Sequence, residues 1–147
     1  MYKHILLPTD GSALSHRAVL AGIKFAKSLG AKVTGFYAAP PATPLEFRGF
    51  LPVGYADPAE HARLIERAAD RYLAVVEQAA KAAGVPCKLE HLTDDYPADA
   101  IVSAAKRNKC DLIYMASHGH RGFTSSLLGS QTHKVLAQSK VAVLIHR

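Results

Sequence analysis

The sequence has only two cysteines, Cys87 and Cys110, which form no CxxC and have no neighbouring ligand pattern. They read as reduced thiols that pack as small hydrophobes, without disulfide or metal chemistry. No apolar run approaches the roughly 20 residues that a membrane-crossing helix needs. The opening run, Ile5-Leu6-Leu7 before Pro8, is too short for a secretory signal, so the expected location is the cytosol. Several catalytic signatures are missing as well. No GxxxxGK[ST] occurs, no GxGxxG follows a strand, and Ser117 lies in no GxSxG. These absences exclude a P-loop NTPase, the common dinucleotide fingerprint and a serine hydrolase. The eight histidines show neither HExxH nor paired Cys/His spacing, so no protein-held zinc is expected. The net charge of +6 comes from basic residues spread along the chain. Such a charge permits contact with nucleic acid, but a diffuse basic surface also suits a small anion, so charge alone does not decide the partner; nucleic acid is not the expected one.

What is present is a chain of 147 residues with 49% hydrophobic content, about one domain long and able to bury a core. Residues 1–147 are taken as that domain. Five short β-type runs, at His4 to Leu7, Lys32 to Ala38, Cys87 to Leu92, Asp111 to Ala116 and Val141 to His146, alternate with helical patterns. In the first helix Leu14, Ala18, Gly22, Phe25 and Leu29 recur at helical spacing, opposite Arg17, Lys24 and Lys27, and Gly30 stands at the C-terminal cap. Further helices are predicted over Pro58 to Ala83, with Gly84 as the stop, Pro97 to Arg107 and Ser130 to Ser139. Such alternation predicts an α/β fold with a parallel sheet.

Cys87-Lys88-Leu89-Glu90 alternates in polarity, which places the third strand at a sheet edge, whereas Ile5-Leu6-Leu7 and Leu112-Ile113-Tyr114-Met115 read as buried on both sides. The last strand is continuously apolar. If it lies at an edge it lacks the charges that protect one, which predicts a covering partner chain. Residues Ala39 to Asp57, with four prolines, form the one long loop, read as packed surface ahead of a lid.

The chemistry concentrates after the fourth strand, where Gly119 and Gly129 bracket a short loop and a helix begins at Ser130. Glycines let a backbone approach a ligand closely. A helix start offers unpaired N–H groups and the positive end of its dipole, a ready seat for phosphate, and Ser130 and Thr132 add hydroxyls. The same pattern also suits a plain connection in which Ser130 is an N-cap. A second feature, Thr9-Asp10-Gly11-Ser12, ends the first strand, and the two loops share a crevice if strands one and four are neighbours. Asp10 then contacts a ribose hydroxyl, an adenine amino group or Mg²⁺, or it caps the first helix, which Ser12 can also do.

The opening Ile5-Leu6-Leu7-Pro8-Thr9-Asp10-Gly11-Ser12, Tyr37-Ala38, and Met115-Ala116-Ser117-His118-Gly119 followed after nine residues by Gly129-Ser130 resemble the universal stress protein family over nearly the whole length. The resemblance implies a Rossmann-like open five-stranded parallel sheet of order 3-2-1-4-5, with helices on both faces. It also implies a homodimer joined through Val141 to His146, and an ATP site whose Mg²⁺ or Mn²⁺ rides on the phosphates. By position, Asp10 is the acidic nucleotide contact and Ala38 meets adenine through its backbone. Gly119, Gly129, Ser130, Gln131 and Thr132 form the ribose and phosphate cradle, beside Thr9, Met115, His118 and Gly122. One position departs, Ala116, where the family pattern has glycine. No residue reads as a general base or arginine finger, with Arg121 at most neutralising phosphate, so at most slow hydrolysis is expected. The competing reading is a nucleotide-free dimeric interaction module with Ala116 as the sign of a decayed site.

Overall fold

The computed structural model of the chain describes residues 1–41, 58–119 and 128–147. Its elements run β1 (His4–Pro8), α1 (Ala13–Leu29), β2 (Lys32–Ala39), α2 (Pro58–Ala83), β3 (Cys87–Thr93), α3 (Pro97–Arg107), β4 (Leu112–Ala116), α4 (Ser130–Gln138) and β5 (Ala142–His146). Most of the long loop, Gly122 and Arg121 lie outside the described residues.

The helix signals act as the sequence indicates. Ser12 caps α1 by accepting the Ser15 N–H at 3.2 Å. Gly30 closes that helix in the left-handed conformation at φ 67°, its N–H directed to the Ala26 and Lys27 carbonyls. Gly84 does the same after α2 at φ 71°. The last helix stops one residue short of the sequence reading because Ser139 turns extended, at φ −69° and ψ 136°. The Ser139 hydroxyl donates to the Val141 carbonyl at 2.8 Å and so fixes the turn into β5.

The strands pair in parallel in the order β3-β2-β1-β4-β5, as expected. Alternation along each strand sorts the core into two layers. Ile5, Leu7, Val33, Leu112 and Tyr114 face α1 and α2. Leu6, Phe36, Ile113 and Met115 face α3 and α4, where Ile101 and Val135 meet them. Each fully buried leucine, isoleucine or phenylalanine contributes about 1.5–3 kcal/mol by leaving water, and truncating the wholly buried Phe36 to alanine would cost about 3–5 kcal/mol. β3 is an edge strand with mixed burial, and β5 is the opposite edge, its apolar residues only partly covered.

This order puts β1 between β2 and β4. The chain leaves β1 in one direction through α1 to β2 and later returns on the other side with β4. A crevice opens at the carboxyl ends of strands at such a reversal.

Candidate functional site

At the end of β1 the Thr9 N–H still donates to the Phe36 carbonyl at 2.9 Å, and then the chain turns away. Gly11 makes the turn at φ 81°, and a Cβ there would also run into the Tyr72 ring. Thr9 Oγ1 accepts the Gly11 N–H at 3.2 Å and pairs with Ser15 Oγ at 3.1 Å. Asp10 Oδ1 accepts the Ser12 N–H at 2.9 Å, an Asx turn that fixes the carboxylate. Of the two roles open to Asp10, the helix cap belongs to Ser12. The other Asp10 oxygen, Oδ2, faces Gly119 so closely that a Cβ on Gly119 would overlap it. Behind this turn Tyr37 meets Tyr72 edge to face at 5.2 Å. Burial, and then the neighbouring Tyr72 and Asp10, push the Tyr37 phenol above its usual range and keep it neutral.

At the end of β4 the Ser117 N–H continues the sheet by donating to the His146 carbonyl at 2.8 Å. The Ser117 carbonyl accepts the Gly129 N–H at 2.7 Å, which draws the start of α4 against the strand end. Gly129 is needed for proximity: its φ is −65°, but a Cβ would sit 3.0 Å from His118 Cα and Cβ. The first intrahelical bond of α4 runs from His133 N–H to the Gly129 carbonyl, so the amides of Ser130, Gln131 and Thr132 precede it. Their N–H groups and the helix dipole together favour an anion.

Two side chains of that helix start are already occupied. Thr132 Oγ1 is buried and donates to the Ala116 carbonyl at 3.0 Å, so its only hydroxyl proton serves the fold and it can offer a ligand no more than an acceptor. Gln131 Oε1 accepts the Ala98 N–H at 3.2 Å and ties the start of α3 to that of α4. The donors that this helix start leaves open are therefore the α4 amides and the exposed Ser130 hydroxyl. His118 Nδ1 lies 3.2 Å from Ser117 Oγ.

Ala116 is an ordinary strand residue in register with His146. Among the described residues Lys109 is the one non-glycine with positive φ, so position 116 does not require glycine for its backbone.

On the third side lies the end of β2. Phe36 points its carbonyl at Thr9, so Ala38, two residues on, directs its N–H and C=O the same way, past the point where β1 has turned off. Ala39 points oppositely, its carbonyl accepting the Asp94 N–H at 3.0 Å.

These three walls enclose a cavity of about 560 Å³, within the range of small-molecule sites. Thr9, Asp10, Ala38, Met115, His118, Gly119, Gly129, Ser130, Gln131 and Thr132 all line it, so the residues singled out in sequence converge, with Gly122 outside the described residues. Sequence reasoning missed Pro40, Asp95, Pro97 and Ile101, which also line it. The available signal was the strand order, which sets the turn after β3 beside the end of β2. A smaller hollow of about 270 Å³ lies between α2 and β3, away from the strand ends. There Glu90 is already held by Arg107 at 2.5 Å and Asn108 at 2.6 Å. Among the described residues no three His, Cys, Asp or Glu side chains cluster to hold a metal, and no helix is long and apolar enough to cross a membrane.

The sequence matches the universal stress protein family over residues 1–147. It is 32% identical to universal stress protein MJ0531 of Methanocaldococcus jannaschii, over 99% of this chain and 82% of that one. It is likewise 32% identical to a Thermus aquaticus universal stress protein encoded in the 3′ region of a QAH/OAS sulfhydrylase, with 100% of both chains covered. Among solved structures, MJ0577 superposes with a TM-score of 0.74 at 25% identity, over 99% of this chain and 95% of that one. A universal stress protein in complex with cAMP superposes with a TM-score of 0.69 at 26% identity, over 99% and 97%. With sheet order, strand-end cavity and whole-length similarity in agreement, the chain belongs to the universal stress protein family.

Proposed function

We propose that this chain is a stress-response regulatory protein that binds ATP in the cavity between the ends of β1 and β4. The observation that carries the reading is the α4 start: three amides ahead of the first intrahelical bond, brought against β4 by the glycine at 129. The phosphates sit on these amides, with Ser130 adding a hydroxyl and His118 beside them. Asp10, fixed by Ser12, accepts from a ribose hydroxyl, and Ala38 offers the base a backbone donor and acceptor. Mg²⁺ or Mn²⁺ rides on the phosphates. The adenine nucleotide bound by the relative solved with cAMP supports an adenine ligand.

Ala116 does not argue for a decayed site, because its conformation is open to any residue. The protein acts by binding rather than as an efficient catalyst, in the cytoplasm, as one domain, and as a homodimer through the edge of β5. The experiment is direct: denature the purified protein and resolve the supernatant by anion exchange. Co-eluting ATP or ADP supports the reading. A nucleotide-free supernatant, together with no uptake of added ATP and Mg²⁺, refutes it.

A further inference from the structure

The cavity is uneven in character. Around the end of β2 its walls are apolar, formed by Ala38, Pro40, Pro97 and Ile101, and prolines bring no backbone N–H. One charged residue, Asp95, lines this part. Its place is fixed on both sides. The preceding residue, Asp94, donates its N–H to the Ala39 carbonyl at 3.0 Å, and Asp94 Oδ1 accepts the Tyr96 N–H at 2.8 Å. Just beyond, α3 begins at Pro97 and is tied to α4 through Ala98 and Gln131 at 3.2 Å. The turn that carries Asp95 is thus anchored to the β2 end and to the phosphate-side helix.

A flat, weakly polar ring fits the apolar part of such a cavity, and the phosphates belong at the α4 amides, where the dipole is favourable. A carboxylate beside the ring accepts hydrogen bonds and donates none. Meeting the 6-substituent on the side away from N1, with the Ala38 backbone on the N1 side, it favours an exocyclic amino group and opposes a carbonyl in its place. Adenine meets this demand with two amino protons, enough for the Ala38 carbonyl and a carboxylate together. Resting on the reading of the cavity as an ATP site, we infer that Asp95 is a specificity-determining residue that selects 6-aminopurine over 6-oxopurine nucleotides.

The test compares ATP with ITP, which differ at that position, by calorimetry on the full chain with Mg²⁺ present. Wild-type protein prefers ATP. In D95N, whose amide both donates and accepts, ITP affinity rises and the ATP-to-ITP ratio falls about tenfold or more, as for loss of a charge-assisted hydrogen bond. The Ala38 backbone leaves a residual preference for ATP. D95S, which keeps an acceptor but removes the charge, shifts the ratio in the same direction and guards against a folding defect in the first variant. A ratio unchanged in either folded variant that still binds ATP overturns the role of Asp95 and leaves the site intact. A wild-type chain that binds neither nucleotide overturns the site itself, and the inference with it.

Discussion

Gly119 and Asp10 are in such close approach that a single methyl group on the former would overlap a carboxylate oxygen of the latter. The two residues come from different strand ends, and their contact joins the turn after β1 to the loop after β4 across the sheet reversal. Gly119 is not in the left-handed region, so its glycine is required by this neighbour and not by its own backbone.

The first prediction follows. Gly119→Ala displaces either Asp10 or the loop and weakens ATP binding by about tenfold or more, the scale of a lost charge-assisted contact. In an Asp10→Ala background the overlap is gone, so adding Gly119→Ala costs little further affinity. A double-mutant cycle read by calorimetry measures this coupling. Independent, additive effects would show that the two residues do not share one site.

Thr132 separates a structural hydroxyl from a ligand contact. Its donation to the Ala116 carbonyl is buried, so Thr132→Val leaves that bond unmade in a side chain of nearly the same shape. The expected loss is about 1–2 kcal/mol of unfolding free energy in urea. Unchanged stability with strongly reduced nucleotide affinity would make the hydroxyl a ligand contact instead.

Much of this was legible in the chain. The apolar runs of β1 and β4 mark buried central strands because both of their faces meet helices, and the alternation of β3 marks an edge because one of its faces does not. Gly30 and Gly84 announce helix ends because only glycine adopts their left-handed conformation at little cost. Other features were hidden. Asp95 stands in a turn without glycine spacing, and its nearness to Ala38 comes from sheet order. The partners of Thr132 and Gln131, Ala116 and Ala98, lie 16 and 33 residues away, joined only by tertiary packing.

Assembly is tested at the β5 edge. The His146 carbonyl faces β4, so by alternation Ala142 and Leu144 also face β4, and Val143 directs its N–H outward. Val143→Pro removes that outward donor while sparing the internal ladder. Light scattering after size exclusion should find a wild-type dimer and a variant monomer with unchanged far-UV signal. A dimer that persists in the variant moves the interface elsewhere.

A pH dependence follows from His4, whose Nε2 lies 2.7 Å from Thr34 Oγ1 in the core. Burial, then the charge of Lys32, lowers its pKa from the ordinary 6.5. The unfolded chain thus binds a proton at a higher pH than the folded one, and linkage makes stability fall as pH drops below about 6.5, reaching its full penalty below the folded pKa. Thermal melts from pH 8 to pH 5 should show this decline, and His4→Gln should flatten it. A decline of equal slope in the variant would assign it to other groups.

The central claim is that ATP binds between the α4 start, drawn against β4 at Gly129, and the contact of Gly119 with Asp10 across the sheet reversal. Its most direct test is calorimetric titration of ATP with Mg²⁺ into protein stripped of nucleotide, with wild type and Gly119→Ala side by side. The account predicts saturable binding of one nucleotide per chain by wild type and strong weakening in the variant. No binding by folded wild-type protein, or equal binding by both, would contradict it.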